Sequence, residues 1–455
     1  MSHGLTQKQR RDQKKNHSPF SGMMRVMKHF FPHLADMFNQ MNDPRHLSYI
    51  VYSQAALIMM VLMKCNSAIV SMRGMTKQFN TEEAIDNLSY MCGQKLDEKP
   101  DWQTINNYLE RLASDQLQII IQKMVKALIR TKTFIQYAIN GKYVVIIDGT
   151  DYAFFREKHS PHDLVRKVTD KETGEISYQY FNKALEAKIL LAPGLLISIA
   201  TEFIENESED VTKQDCELRA GYRLIDKLKK AFPRMKFIIV GDALYAVMPF
   251  MKAVKEKGWN YLFRVKEGRQ EKLMEDFDDL LKYIEADSTV RNVISEENGI
   301  GKFVNHVEHV TGKKETCNMI RYLYTDGEGT KKTFTWVTDI TITKKNAVDL
   351  IKAGRDRWII ENQGFNCQKN GIYDLEHHCS LDYTAMKNHY LLIQISHMLM
   401  QLYMEYDHIV YELKEGMKYA AENLKSSFIT HTVNEADRRF IETKTALHLC
   451  STLVG

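Results

Sequence analysis

The stretch that decides the fold reads VVIIDG at residues 144–149, an apolar β-branched run that ends in Asp148 and a turn former. A second stretch, FIIVGD at residues 237–242, repeats the pattern and ends in Asp242. Short continuous apolar runs of this kind are typical of strands that are buried on both faces of a sheet. Each run therefore predicts a buried strand that places one aspartate at a sheet edge.

A third stretch, RWIIEN at residues 357–362, places Glu361 inside a long helical pattern, four residues after Arg357. Two strand-end aspartates and a helical glutamate can hold two divalent cations about 3.5–4 Å apart, which is how metal-dependent enzymes displace phosphodiesters. Hard carboxylate oxygens favour Mg²⁺ or Mn²⁺. The three stretches together predict an enzyme that acts on nucleic acid.

Each acidic position also has a structural interpretation. An aspartate before glycine is often only a turn former, and Asp151 competes with Asp148 as the first ligand. Residues four apart on a helix lie on one face, so Arg357 and Glu361 can be a surface ion pair. Lys369 falls on roughly the same helical face, which would place two phosphate clamps beside the carboxylate.

Composition limits the class of protein. The 455 residues are 44% hydrophobic and 26% charged, as in globular proteins, and contain seven cysteines. No apolar run reaches the roughly 18 residues of a membrane span, and no Cys-x-x-Cys pair occurs, which favours a reducing cytoplasm. Residues 1–32 carry seven basic residues against Asp12 alone. This segment predicts a basic, flexible arm that either binds nucleic-acid phosphates or is simply solvated; its candidate DNA contacts are Lys8, Arg10 and Arg11.

The pattern changes from helical to mixed near residue 140. Residues 33–140 predict a helical N-terminal domain, with Thr81–Met91 and Trp102–Leu112 forming either a DNA-reading helix-turn-helix-like unit or part of a plain bundle. Residues 141–268 predict three sequential antiparallel strands, a helix, a strand and another helix. That order is an RNase H-like core of mixed α and β structure. Residues 269–343 predict a β-rich insertion, 344–408 the second part of the core with Glu361, and 409–455 a helical tail.

The order Asp148, Asp242, Glu361 resembles the DDE transposases of bacterial insertion sequences. More narrowly, it is similar to the insertion-sequence-four group, whose signature is Tyr-x2-Arg-x3-Glu-x6-Lys. Arg357 and Glu361 match this signature, whereas Gly354 stands in place of the tyrosine and Lys369 comes one residue late. The stretch DALY at residues 242–245 also resembles the motif around the second aspartate of that group.

The resemblance implies cut-and-paste DNA transposition with two Mg²⁺ or Mn²⁺ ions. The partners it implies are double-stranded DNA, as terminal inverted repeats and target, and a second copy of the chain. It makes Arg357 and Lys369 DNA contacts, and Trp336 either a stacking partner for a flipped base or a buried strand residue. A nucleoid-associated, prokaryotic cytoplasmic location follows. The alternatives are an RNase H-like nuclease that never joins strands and an inactive, domesticated DNA-binding protein.

Overall fold

The computed structural model describes residues 6–14, 16–208, 211–266, 268, 270–286, 292–296, 298–311, 313–411 and 415–443. Within these residues, ten strands form a single mixed sheet. The strands are β1 Tyr143–Phe155, β2 Leu164–Thr169, β3 Ile176–Ala192, β4 Leu195–Ile204, β5 Phe237–Gly241, β6 Asn260–Val265, β7 Val293–Glu296, β8 Gly299–Thr311, β9 Lys313–Thr325 and β10 Lys331–Thr338. The sheet is covered by helices on both faces.

Helices form the N-terminal part of the chain and also lie between the strands and after the last strand. Before the sheet they are α1 Gln7–Lys14, α2 Pro19–Phe30, α3 Leu34–Asn39, α4 Gln54–Asn66, α5 Met72–Gln78, α6 Glu82–Cys92, α7 Trp102–Leu109 and α8 Ser114–Arg130. Between and after the strands they are α9 Glu217–Ala231, α10 Met248–Glu256, α11 Glu271–Ala286, α12 Ala347–Arg355, α13 Arg357–Ile359, α14 Cys367–Asn370, α15 Tyr383–Tyr411, α16 Met417–Thr430 and α17 Glu435–Glu442. Short 3-10 turns span Leu47–Tyr49 and Ile135–Tyr137, and Ile360–Asn366 is a π-helical segment.

The order of the central strands confirms the predicted RNase H-like core. β1, β3 and β4 are antiparallel neighbours, and β5 and β6 then add parallel to β1 on its other side. Alternate residues of β1 enter different cores: Val145 and Ile147 pack in the larger core, whereas Val144 and Ile146 pack under α12 and the π-helical segment. Burial on both faces explains why the run contains no polar residue before Asp148.

The predicted insertion is an extension of the same sheet. Strand β10 pairs antiparallel with β6, and β9, β8 and β7 follow outward. Four strands, β7 to β10, lie within residues 269–343. The first part of the insertion is helical, because Leu273, Phe277 and Leu281 of α11 form a buried stripe at helical spacing.

The prediction of a flexible arm over residues 1–32 is wrong for the part that forms α2. Ser18 caps this helix by accepting a hydrogen bond from the Ser21 amide, and Pro19 opens its first turn. Phe20 and Val26 are fully buried, and α2 packs against α15, α16 and α17. The helical tail therefore folds back onto the N-terminal segment. No helix of the described residues is long and apolar enough to cross a bilayer.

Candidate active site

Strand register brings the first two predicted ligands together. The parallel pairs of β1 and β5 include Val144 with Ile238 and Ile146 with Val240. Continuing this register by two residues places Asp148 opposite Asp242, on strands that are about 4.8 Å apart. Paired residues of parallel strands share one face of the sheet, so both carboxylates emerge at one place. Asp242 follows the last residue of β5, and its Oδ1 accepts a hydrogen bond of 2.7 Å from the Leu244 amide.

Arg357 joins Glu361 to this pair. Its Nη1 donates to Asp148 Oδ2 at 3.0 Å, and its Nη2 lies 2.7 Å from Glu361 Oε1. The ion pair between Arg357 and Glu361 is therefore not a solvated surface stripe, because the same guanidinium also bridges helix and sheet. Arg357 thus lies between the carboxylates of Asp148 and Glu361.

The environment of Asp148 opposes its ionisation. Its side chain is 16% exposed, and burial raises the pKa to about 7. The charges of Glu217 and Glu361 also raise the pKa, whereas the Arg357 guanidinium and the hydrogen bond from the Gly149 amide lower it. The raised pKa means that the positive charge around Asp148 does not offset its burial and the neighbouring carboxylates. This is the environment expected where carboxylates lie close together to bind a cation.

Glu217, at the start of α9, is a fourth carboxylate that the sequence analysis missed. Its Oε1 accepts a hydrogen bond of 2.8 Å from the Tyr245 hydroxyl, and its Oε2 lies 2.8 Å from Lys183 Nζ. The Glu217 carboxylate lies so close to Gly149 that a Cβ there would be 2.5 Å from Oε2. Gly149 is therefore required for close approach and not for a turn, since β1 continues to Phe155.

Asp151, the alternative to Asp148 as the first ligand, has a separate role in the structure. Asp151 lies in β1 and pairs with Arg166 at 3.0 Å. It is three residues after Asp148 in a strand whose side chains alternate in direction, so the two carboxylates face opposite ways. Asp148 is therefore the residue that shares a face with Asp242.

The predicted DNA contacts occupy different environments. Lys369 pairs with Glu376 at 2.8 Å, and Lys8, Arg10 and Arg11 lie on α1, where Lys8 and Arg11 are exposed. Trp336 corresponds to the buried alternative, because its indole is 1% exposed. Gly354 packs directly on that indole, so close that a Cβ there would be 2.5 Å from Trp336 Cε2. Stacking of a base on Trp336 would require this core to open.

An exposed tryptophan lies beside the site instead. Trp358, the neighbour of Arg357, is 54% exposed and lines a cavity of about 620 Å³ between β9, β10 and α12. Tyr324 and Phe334 supply aromatic walls, and the guanidinium of Arg355 stacks on the Tyr324 ring at 4.4 Å. The sequence could have pointed to Trp358, because in the stretch RWIIEN this tryptophan directly follows Arg357.

The fit of a metal to this site depends on Arg357. Among the described residues, no three His, Cys, Asp or Glu side chains are close enough together to hold a metal ion. The donor chemistry nevertheless suits a hard divalent cation, since Asp148, Asp242 and Glu361 all offer carboxylate oxygens. The guanidinium of Arg357 stands between two of these carboxylates, those of Asp148 and Glu361.

Comparison with known proteins identifies a family, and solved structures are distantly similar. Residues 139–399 match the family described as the transposase DDE domain, which is more than half of the 455 residues. The sequence has no significant match among curated proteins. A cryo-EM structure of a piggyBac transposase synaptic complex with hairpin DNA is similar at 13% identity and a TM-score of 0.42, covering 94% of this chain and 84% of that one.

Proposed function

We propose that this chain, which belongs to the transposase DDE domain family, cuts DNA at transposon ends in a metal-dependent reaction and joins the freed ends to target DNA. The observation that supports this most is the parallel register of β1 and β5, which places Asp148 opposite Asp242 when it is continued by two residues, with Glu361 tied to Asp148 through Arg357. Residues that are far apart in sequence meet at the edge of an RNase H-like sheet. We also propose the narrower kinship with the insertion-sequence-four group.

The three carboxylates are proposed to hold two Mg²⁺ or Mn²⁺ ions. Such ions, when bound, activate an attacking oxygen and stabilise the leaving oxygen of a phosphodiester. Asp148, Asp242 and Glu361 would supply the carboxylate oxygens that hold these ions. Lys183 and Tyr245 hold Glu217 against Gly149, so Glu217 supports the strand segment that carries Asp148.

Arg357 is proposed to change partners during the reaction. Its two donors now occupy one oxygen each of Asp148 and Glu361, and a divalent cation held by these carboxylates would repel the positively charged guanidinium. A DNA phosphate offers the guanidinium an alternative bidentate acceptor. Arg357 would then release the carboxylates as it contacts DNA, which links DNA binding to completion of the site.

The partners follow from the proposed reaction. Double-stranded DNA, as terminal inverted repeats and target, would contact Arg357, Lys369 and the basic residues of α1, which are Lys8, Arg10 and Arg11. Two transposon ends must be held together, so a homodimer is proposed. If excision passes through a hairpin, the exposed Trp358 is better placed to stack on a displaced base than the buried Trp336. A nucleoid-associated, prokaryotic cytoplasmic location belongs to the same proposal.

A cleavage and joining assay tests the function. DNA that carries the gene's own flanking inverted repeats is incubated with Mg²⁺ or Mn²⁺ and either the wild-type protein or Glu361→Gln. The proposal expects metal-dependent excision and insertion that the variant lacks. Cleavage without joining would favour the nuclease, and DNA binding without cleavage in both proteins would favour the inactive, domesticated protein.

A further inference from the structure

Arg264 extends the row of residues that contains the two aspartates. The parallel pairs of β5 and β6 end at Gly241 with Phe263, so the next position places Arg264 opposite Asp242. On its other side, Arg264 pairs directly with Trp336 of β10. Asp148, Asp242 and Arg264 therefore occupy successive positions across three neighbouring strands, on one face of the sheet.

The guanidinium of Arg264 is held in place by aromatic rings. Its Cζ lies 4.5 Å from the centroid of Phe334 and 5.7 Å from that of Trp336. One terminal nitrogen, Nη2, donates to the Thr333 carbonyl at 2.8 Å. Stacking on two rings fixes the plane of the guanidinium and lowers the entropy it would lose when it binds a ligand.

Arg264 lacks the acidic partner that such a residue usually has. Among the described residues, no carboxylate forms an ion pair with it, and its buried Nε has no hydrogen-bond partner. Burial lowers the pKa of Arg264, and the nearby positive charge of Arg357 lowers it further. A half-buried cation beside another cation costs stability unless an anion binds there.

We propose that Arg264 binds a backbone phosphate of the DNA strand that enters the active site. This inference rests on the proposed function. A planar guanidinium matches the oxygens of a phosphodiester, and a phosphate carries no base identity, so the contact would position DNA without reading its sequence. One strand spacing from Asp242, this phosphate would neighbour the one that is cut.

Methylphosphonate substitution tests the contact without relying on cleavage. Single linkages around the transposon-end cleavage site are made neutral one at a time, and affinity is measured for wild type and Arg264→Met. We expect one linkage whose neutralisation weakens wild-type binding about tenfold. Arg264→Met should bind unmodified DNA about tenfold more weakly, lose nothing more at that linkage, and show a salt slope smaller by about 0.9.

A matched control comes from β9, which lies two strands away from β6 in the sheet. Arg321 of β9 also stacks on a ring, Phe277, but it is paired with Asp278. Arg321→Met should keep the wild-type methylphosphonate profile and salt slope. If Arg264→Met does not fold, Arg264→Lys retains the charge without the planar fork and should lose part of the affinity at the same linkage.

The inference is overturned if Arg264→Met, or Arg264→Lys in its place, keeps the wild-type profile at every linkage and the wild-type salt slope. Failure of the proposed function gives a different result. If the proposed function is wrong, the wild-type protein neither cuts nor joins its transposon ends, whatever the binding profile of the Arg264 variants.

Discussion

The two halves of the central sheet carry opposite charges along one row. The acidic half, β1 and β5, presents Asp148 and Asp242, whereas the cationic half, β6 and β10, presents Arg264 stacked on Trp336. In the acidic half burial and neighbouring carboxylates raise the pKa of Asp148, and in the cationic half burial and a neighbouring arginine lower the pKa of Arg264. Arg264 has no carboxylate partner among the described residues, whereas Asp148 has Arg357 and still has a raised pKa. A different ligand would suit each half: an anion for Arg264 and a cation for the carboxylates.

This comparison explains why the insertion shares the sheet of the core. Because β10 pairs with β6, aromatic side chains of the insertion reach the row at the position next to the core strands. A cation site and a phosphate site can then be adjacent on a rigid scaffold.

Loss of any carboxylate of the proposed metal set should have the largest effect. Asp148→Asn, Asp242→Asn and Glu361→Gln should each reduce cleavage by about a thousandfold or more, because metal-assisted charge stabilisation is removed. DNA binding should remain close to wild type. Gel-based cleavage and binding assays measure both quantities, and cleavage retained by one variant would remove that residue from the set.

Removal of the Arg357 guanidinium tests whether this residue changes partners when DNA binds. Arg357→Met should reduce cleavage by about 10–100-fold, since a charge-assisted contact to DNA is lost. The same variant should bind Mn²⁺ more tightly than wild type when DNA is absent, because no guanidinium competes for Asp148 and Glu361. Arg355→Met, which changes a residue stacked on Tyr324, is the control. Unchanged Mn²⁺ affinity in Arg357→Met would show that Arg357 does not compete with the metal.

Addition of a side chain at Gly149 tests the close approach of Glu217 to β1. Gly149→Ala places a Cβ 2.5 Å from Glu217 Oε2, so we expect a loss of about 1–3 kcal/mol in the free energy of unfolding. Urea unfolding measures the loss. The control is Gly327→Ala, where an added Cβ meets nothing within 4 Å. Glu217→Ala should partly relieve the effect in the double variant, and strict additivity of the two changes would contradict this contact.

The pH dependence of stability provides a fourth test. The folded protein keeps a proton on Asp148 up to a pKa of about 7, whereas the unfolded chain releases it near 3.8. Stability from this group is therefore present at low pH and is lost as pH rises towards 7. Asp148→Asn removes this loss and should gain about 2 kcal/mol over wild type between pH 5.5 and pH 8. Urea unfolding in EDTA measures it, and a pH-independent difference would contradict the raised pKa.

The sequence predicted the parts of the site that depend on local pattern. Apolar runs identified β1 and β5, and the helical pattern located Glu361. Spacing also led to Arg357. The same reasoning ended β1 at Asp148, although the strand continues to Phe155, because Gly149 was interpreted as a turn former. When a glycine is needed because a side chain from another element packs against it, the neighbouring sequence does not indicate this.

Register and long-range contacts account for what was missed. Asp242 and Arg264 become neighbours only when β5 and β6 are aligned, and Glu217 approaches Gly149 only through the packing of α9. The late position of Lys369 has a local cause, since Ile360–Asn366 is π-helical. A π turn contains one residue more than an α turn, which is the difference between this chain and the signature it resembles.

Mn²⁺ binding to the DNA complex tests the central claim most directly. Electron paramagnetic resonance titration of the protein bound to uncut transposon-end DNA counts the ions that each active site holds. We predict two ions per site for wild type, and fewer or much weaker ions for Asp148→Asn and for Asp242→Asn. Equal stoichiometry and affinity in wild type and both variants would contradict the claim that the paired strand ends form a metal site.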